Sequence, residues 1–174
     1  MHINEIDWRI EPLHDVIVGI EAGLKSVEER LKQEEDFDGL SAREHAEMLL
    51  GLGFVAAQAY VLGVWTDLNR IRKKEGLPPV GKIDCYASDP VTLHRGPTRI
   101  QVINATANYF KHHDEWLAWP NNETTQALRR VGITENTEFP CVEATQLFCG
   151  RSWEFIVLHQ IVREWRAHVF NIFR

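Results

Sequence analysis

The segment Met48-Leu-Leu-Gly-Leu-Gly-Phe-Val-Ala-Ala-Gln-Ala-Tyr-Val-Leu-Gly-Val-Trp65 decides the fold, because it contains no charged residue and only one strongly polar one, Gln58. A run of this kind just reaches the length of a membrane-spanning helix. Its glycines and alanines lower its hydrophobicity, however, and amphipathic helices follow it in the chain. We therefore predict that the segment forms the buried centre of a helix, with Gly51 and Gly53 allowing close helix packing.

The residues on either side extend this segment into a long helix and place a second long helix before it. Ser41-Ala-Arg-Glu44 has the pattern of a capping box, and Gly76 and Pro78 end the helix after about Lys74. Between about Pro12 and Gln33, apolar residues recur at helical spacing and predict an amphipathic helix. Its expected core stripe is Leu13, Ile17, Ile20, Leu24, Val27 and Leu31.

The second half of the chain predicts two further long helices and one short helix. Thr98-Arg-Ile-Gln101 is another capping box, and the helix that it opens is expected to end near Trp119-Pro120. Asn122 caps a short helix through Val131, and the last helix runs from about Ser152 to the C-terminus. Residues 76–97 and 133–150 read as long irregular loops.

These elements predict an all-α protein, with four long helices and one short helix in a bundle elaborated by two long irregular loops. Nothing in the sequence divides residues 1–174 into separate domains. The core-facing residues expected in the third and last long helices are Ile100, Ile103, Ala107, Phe110, Leu117, Leu158, Ile161, Trp165, Val169 and Ile172.

The amino-acid composition limits which partners the protein is expected to bind and in which cellular compartment it is expected to work. The chain has 25 acidic and 19 basic residues, a net charge of −6, which opposes an extended interface with nucleic acid or anionic lipid. Cys85, Cys141 and Cys149 form no CxxC pair, a pattern typical of reduced thiols in the cytoplasm. The N-terminus has no apolar run typical of a secretory signal. We therefore expect a cytoplasmic protein with no membrane partner.

The third long helix carries the stretch of the chain that is richest in side chains able to bind or react, Asn108-Tyr-Phe-Lys-His-His-Asp-Glu-Trp116. Helical spacing aligns a polar strip along one side of it, made of Gln101, Asn104, Asn108, Lys111, His112 and Glu115. Such a strip is typical of a solvated face, but amides and an imidazole among aromatic residues also suit the wall of a pocket. In that second interpretation Asn104, Asn108, Lys111 and Trp116 bind a ligand, and Asn108, His112 and Glu115 face a shared cavity.

His112 and Glu115 are the candidates for chemistry on this strip. A carboxylate three residues away can orient the imidazole and raise its pKa for acid or base catalysis, and a simple intrahelical ion pair is equally open. The two side chains could also chelate a metal, with Glu164 and His168 as the sole plausible partner pair. Because no second helix shows a matching Glu-x-x-His, neither a metal nor another cofactor is expected, and a metal-dependent enzyme is the third alternative.

The last helix contains Arg163-Glu-Trp-Arg-Ala-His168, an arginine and a histidine separated by four residues. In this motif and in its helical architecture the chain resembles the HEPN superfamily, whose mark is Arg-x(4 to 6)-His on a late helix. Glu164 follows the arginine, where the family favours a small polar residue. The same spacing occurs a second time, between Arg9 and His14.

The resemblance implies a metal-independent ribonuclease of a toxin–antitoxin or defence system that acts on RNA as a homodimer. Arg163 would then hold the scissile phosphate, and His168 would move the proton of a ribose 2′-hydroxyl. A non-catalytic module that binds another protein, such as an antitoxin, immunity or adaptor protein, fits the acidic net charge better and stays open as the alternative.

Overall fold

The structure is a computed structural model that describes residues 6–94, 96–150 and 154–173, and in these ranges it contains helices and no β-strand. The all-α prediction is confirmed. The helices are α1 (Ile10–Gln33), α2 (Gly39–Lys74), α3 (Lys82–Ala87), α4 (Arg99–His112), α5 (Glu123–Arg130), α6 (Pro140–Cys149) and α7 (Val157–Phe173), and a 3₁₀ turn, His113–Glu115, follows α4.

Helix α2 lies at the centre, in contact with α1, α4, α6 and α7. Its uncharged segment buries Leu50, Phe54 and Val61 almost completely. These side chains belong to one hydrophobic cluster that extends from Leu13 in α1 to Val169 in α7. Burial of apolar surface around α2 is therefore the main force that assembles the bundle.

Among the described residues, α2 is also the one helix long and apolar enough to cross a membrane. Length and composition are weak evidence of a span, because the core helix of a bundle passes the same test. In this structure 44% of its most apolar stretch is buried, and Met48, Leu52 and Leu62 are exposed. Packing against four other helices is the arrangement expected of a core helix.

Two glycines let bulky side chains reach the backbone of α2. A Cβ atom at Gly51 would overlap the ring of Phe110 from α4, and one at Gly53 would overlap the ring of Phe155, just before α7. The close helix packing predicted for these glycines is confirmed.

Two of the three predicted helix caps, those of α4 and α5, are confirmed. Thr98 and Gln101 form the reciprocal capping box at α4, and Asn122 caps α5 with Thr125 as its partner. The prediction for α2 was wrong by one turn. Asp38 is the N-cap there, and its carboxylate accepts a hydrogen bond from the backbone N–H of Ser41 at 2.8 Å.

The two segments predicted to be irregular each contain a short helix, α3 and α6. The start of α6 is stabilised from another helix, since the Glu47 carboxylate in α2 accepts hydrogen bonds from the N–H groups of Cys141 (2.8 Å) and Val142 (2.9 Å). Helix α7 begins at Val157 and not near Ser152, which lies outside the described residues. Before it, the Glu21 carboxylate in α1 accepts the N–H of Ile156 at 2.9 Å.

Three residues expected in the core are exposed. Leu31 and Ile172 lie in the last turns of α1 and α7, where few helices remain to cover them. Leu117 is fully exposed because α4 ends at His112, and the helical spacing that would have turned this side chain inward stops there. Most other members of the predicted stripes are buried.

A single methyl group tests the close packing of α2. We expect Gly53→Ala to lower the free energy of unfolding by about 1–3 kcal/mol, because Phe155 is buried and the added Cβ overlaps its ring. Gly19→Ala is the matched control, since nothing lies within 4 Å of a Cβ there. It should stabilise α1 by about 0.5–1 kcal/mol. Urea unfolding of both variants gives the comparison, and equal stabilities would contradict the packing.

Candidate functional site

One side of α4 carries amide side chains in helical register. Gln101, Asn104 and Asn108 are half-buried and line a cleft between α3, α4 and α5. The cleft has a volume of about 270 Å³. It is lined by Lys82, Ile83, Tyr86, Pro97, Gln101, Asn104, Ala105, Asn108, Glu123, Thr124, Gln126, Ala127 and Arg130. This part of the predicted strip therefore does wall a cavity.

The amides of α4 are tied to α2 by a single residue, Gln58. Its Nε2 donates to Oδ1 of Asn104 at 2.9 Å and to Oδ1 of Asn108 at 2.8 Å. Its Oε1 accepts a hydrogen bond from Nζ of Lys111 at 2.8 Å. Gln58 is the lone polar interruption of the apolar segment, and this network explains why a polar residue is tolerated there.

His112 and Glu115 are placed differently from the prediction that they share this cavity. His112 is the last residue of α4, whereas Glu115 lies in the following 3₁₀ turn and leaves the helical register of the amides. Neither side chain lines the cleft, and both are largely exposed. Nδ1 of His112 lies 3.4 Å from Oε2 of Glu115, the simple ion-pair geometry that was the alternative interpretation.

Trp116 belongs to a separate aromatic cluster at the end of α4. Tyr109 contacts the rings of His113, Trp116 and Trp119, with centroids 4.8, 5.9 and 6.0 Å away. This cluster fastens the connection between α4 and α5. Trp116 therefore contributes to packing around Tyr109 and not to the lining of the cleft.

The metal interpretation receives no support from the geometry of the residues described. They contain no group of three or more His, Cys, Asp or Glu side chains that could hold an ion. Glu164, one half of the proposed partner pair, forms an ion pair with Arg99 at 3.3 Å. Arg99 is also held by the buried carboxylate of Asp89, at 2.8 Å.

The two motif residues of α7 lie on different sides of that helix. Five residues of an α-helix turn the side chain by about 140°, which separates His168 from Arg163. Arg163 is exposed and makes no ion pair with any residue that the structure describes, and His168 is half-buried.

A different histidine occupies the face of Arg163. His159 precedes it by four residues, about one turn of α7. Its ring meets that of His14 in α1 edge to face, with centroids 5.3 Å apart. Nδ1 of His14 lies 3.7 Å from Oδ1 of Asp15. The helix packing thus brings two partly exposed imidazoles together on the face of α7 that also carries the exposed Arg163.

The surroundings of His159 favour its neutral form. Burial lowers its pKa below the ordinary 6.5, and the positive charges of His14 and Arg163 lower it further, against the opposing carboxylates of Glu11 and Asp7. A neutral imidazole can accept a proton at neutral pH.

Sequence reasoning missed the importance of Gln58, His14 and His159. Gln58 had a signal, since a lone amide in an apolar segment requires a polar partner. The pairing of His14 with His159 had none, because it depends on how α1 and α7 cross.

Comparisons with models of protein families, with curated proteins and with solved structures found no match to this chain. The interpretation of the site therefore depends on its geometry and chemistry.

Removal of the Gln58 amide tests the network between α2 and α4. In Gln58→Met the Oδ1 atoms of Asn104 and Asn108 lose their shared donor, so we expect the free energy of unfolding to fall by about 1–2 kcal/mol. The control, Gln160→Met on the exposed side of α7, should change it by less than about 0.5 kcal/mol. Chemical denaturation measures both, and a neutral Gln58→Met would contradict the network.

The lowered pKa of His159 predicts a pH effect on stability. As pH falls from about 7 to about 5, the unfolded imidazole binds a proton near its ordinary pKa while the folded one resists it, so stability is lost. We expect the free energy of unfolding of the wild type to fall more steeply over this range than that of His159→Gln. Denaturation curves at several pH values give the difference, and parallel pH profiles would contradict the assignment.

Proposed function

We propose that the chain is a HEPN-like helical domain that cleaves RNA without a metal ion, with the reaction centred on Arg163. The observation that carries this proposal is the His14–His159 imidazole pair, with the exposed Arg163 one turn further along α7 and lowering the pKa of His159 by its charge. Cleavage of a phosphodiester requires the transfer of two protons, which two imidazoles can carry out, and a cation can stabilise the negative charge on the phosphate.

The reaction follows from the chemistry of these groups. His159, held neutral, takes the proton of a ribose 2′-hydroxyl as its oxygen attacks the adjacent phosphorus. Arg163 binds the phosphate oxygens and stabilises the negative charge that develops on them. His14, whose Nδ1 lies 3.7 Å from Oδ1 of Asp15, donates a proton to the departing 5′-oxygen. The products are a 2′,3′-cyclic phosphate and a free 5′-hydroxyl.

The surroundings of Arg163 support a role in phosphate binding. Glu164, the departure from the family pattern, has a partner of its own in Arg99 at 3.3 Å. Arg163 therefore has no carboxylate bound to it among the described residues and is available to a phosphate. The net charge of −6 still opposes a long RNA footprint, so the substrate would be a short exposed segment.

The resemblance to the HEPN superfamily favours a second assignment of the base. In that arrangement His168 replaces His159, and a homodimer brings the Arg163 and His168 motifs of two chains together. Because His168 lies on another side of α7 from Arg163, this assignment depends on the dimer, whereas the His14–His159 assignment is complete within one chain.

A non-catalytic interaction module is the second candidate function. It is favoured by Leu117, which is fully exposed on the connection between α4 and α5 and is flanked by Trp116 and Trp119. An exposed apolar side chain beside two tryptophans is typical of a contact with another protein.

Cleavage of RNA in a chelator tests the proposed activity. With purified protein and EDTA, we expect cleavage of single-stranded RNA to 2′,3′-cyclic phosphate ends, and a loss of about 100-fold or more in Arg163→Gln, His159→Gln and His14→Gln. Labelled RNA resolved on a gel, with identification of the ends, measures this.

The variant His168→Gln separates the two assignments. A loss confined to Arg163→Gln and His168→Gln, together with a dimer in light scattering, would favour the family arrangement over the His14–His159 pair. Wild-type protein that leaves every tested RNA intact would reject the ribonuclease proposal and favour the interaction module.

A further inference from the structure

The cleft between α3, α4 and α5 presents a row of hydrogen-bond donors, and their orientation is fixed by the network behind them. The orientation depends first on Lys111, because its ammonium group can only donate hydrogen bonds. It lies 2.8 Å from the amide oxygen of Gln58, which leaves the Gln58 nitrogen to act as the donor towards α4.

That nitrogen determines how the two asparagines point. Gln58 Nε2 donates to Oδ1 of both Asn104 and Asn108, so both side-chain oxygens are turned towards α2. Their Nδ2 groups consequently point away from Gln58, on the side where both residues line the cleft. Asn108 Nδ2 has one long contact, 3.4 Å to the hydroxyl of Thr124, and keeps a second N–H.

Gln101 is oriented in the same sense by the cap of α4. Its Oε1 accepts a hydrogen bond from the backbone N–H of Thr98 at 2.9 Å. A backbone N–H can only donate, so the oxygen of Gln101 is the bound atom and its Nε2 group remains available. Gln101, Asn104 and Asn108 therefore offer amide donors from one face of α4, with their oxygens already engaged.

The charges at the cleft favour an anion. Lys82 from α3 and Arg130 from α5 line it, against the single carboxylate of Glu123. Neither cation forms an ion pair with a described residue, and the Lys82 ammonium lies 6.0 Å from the centre of the Tyr86 ring. Amide donors combined with two free cations are complementary to phosphate oxygens.

The size and walls of the cleft limit the rest of the ligand. A volume of about 270 Å³ lies just below the usual range of ligand pockets, which begins near 300 Å³. Ile83, Ala105 and Ala127 supply apolar contact among the polar groups. The site therefore fits a small molecule that has both an apolar face and several acceptor atoms.

We propose that this cleft binds a small organic phosphate of about the size of a nucleoside monophosphate. Arg130 and Lys82 hold the phosphate, and the amides of Gln101, Asn104 and Asn108 donate to acceptors on the body of the ligand. Arg163, His159 and His14 do not line the cleft, so this proposal does not depend on the ribonuclease activity.

Isothermal titration calorimetry of the whole chain tests the proposal with AMP, GMP, CMP, UMP, ribose 5-phosphate and inorganic phosphate as probes. We expect at least one organic phosphate to bind at least about tenfold more tightly than inorganic phosphate, because only the organic probes reach the amide row. Failure of every probe to bind, or inorganic phosphate binding as tightly as all the others, would overturn it.

Two variants identify the groups responsible. Asn104→Asp keeps the oxygen that faces Gln58 and replaces the donor by an acceptor, so binding of the best probe should weaken about tenfold or more. Asn171→Asp, on the exposed side of α7, adds the same charge elsewhere and should bind normally. Arg130→Gln, at an exposed position that should not affect folding, should also weaken binding about tenfold. Normal binding by both cleft variants would reject the assignment.

Discussion

An uncharged helical segment has to bury apolar surface against other elements, and the rest of this bundle is arranged around that requirement. From Met48 to Trp65, α2 offers almost no polar group to solvent, and four helices contact it. Gly51 and Gly53 allow aromatic rings to approach its backbone, which brings α4 and the start of α7 close to it. Apolar burial on this scale is the dominant favourable contribution to folding in proteins of this size.

The one strongly polar residue in that segment, Gln58, connects the packing of α2 to the cleft on the other side of α4. Gln58 cannot be buried without partners, and it finds them in Asn104, Asn108 and Lys111. By engaging the oxygens of the two asparagines, it leaves their nitrogens for the cleft. A half-buried residue of α2 thus determines which amide atoms of α4 face the cleft.

The sequence predicted what depends on neighbouring residues and missed what depends on how helices cross. The caps at Thr98 and Asn122 were predicted because both partners lie within one turn, but Asp38, which caps α2 through an equally local bond, was missed in favour of Ser41. The amide face of α4 was found from helical spacing. Glu115 was wrongly placed with it because periodicity does not show where a helix ends, and His112, the last residue of α4, does not line the cleft. The contact between His14 and His159 joins α1 to α7 and has no signal in either segment.

The carboxylates of Glu21 and Glu47 have a consequence for how the chain is assembled. Glu21 accepts a hydrogen bond from the backbone N–H of Ile156, and Glu47 accepts one from the backbone N–H of Cys141. In each case the acceptor comes from an earlier helix and not from the segment's own residues. The starts of α6 and α7 therefore gain part of their stabilisation only when they pack against α1 and α2. Because translation delivers α1 and α2 first, both acceptors are present in the chain before the segments that use them.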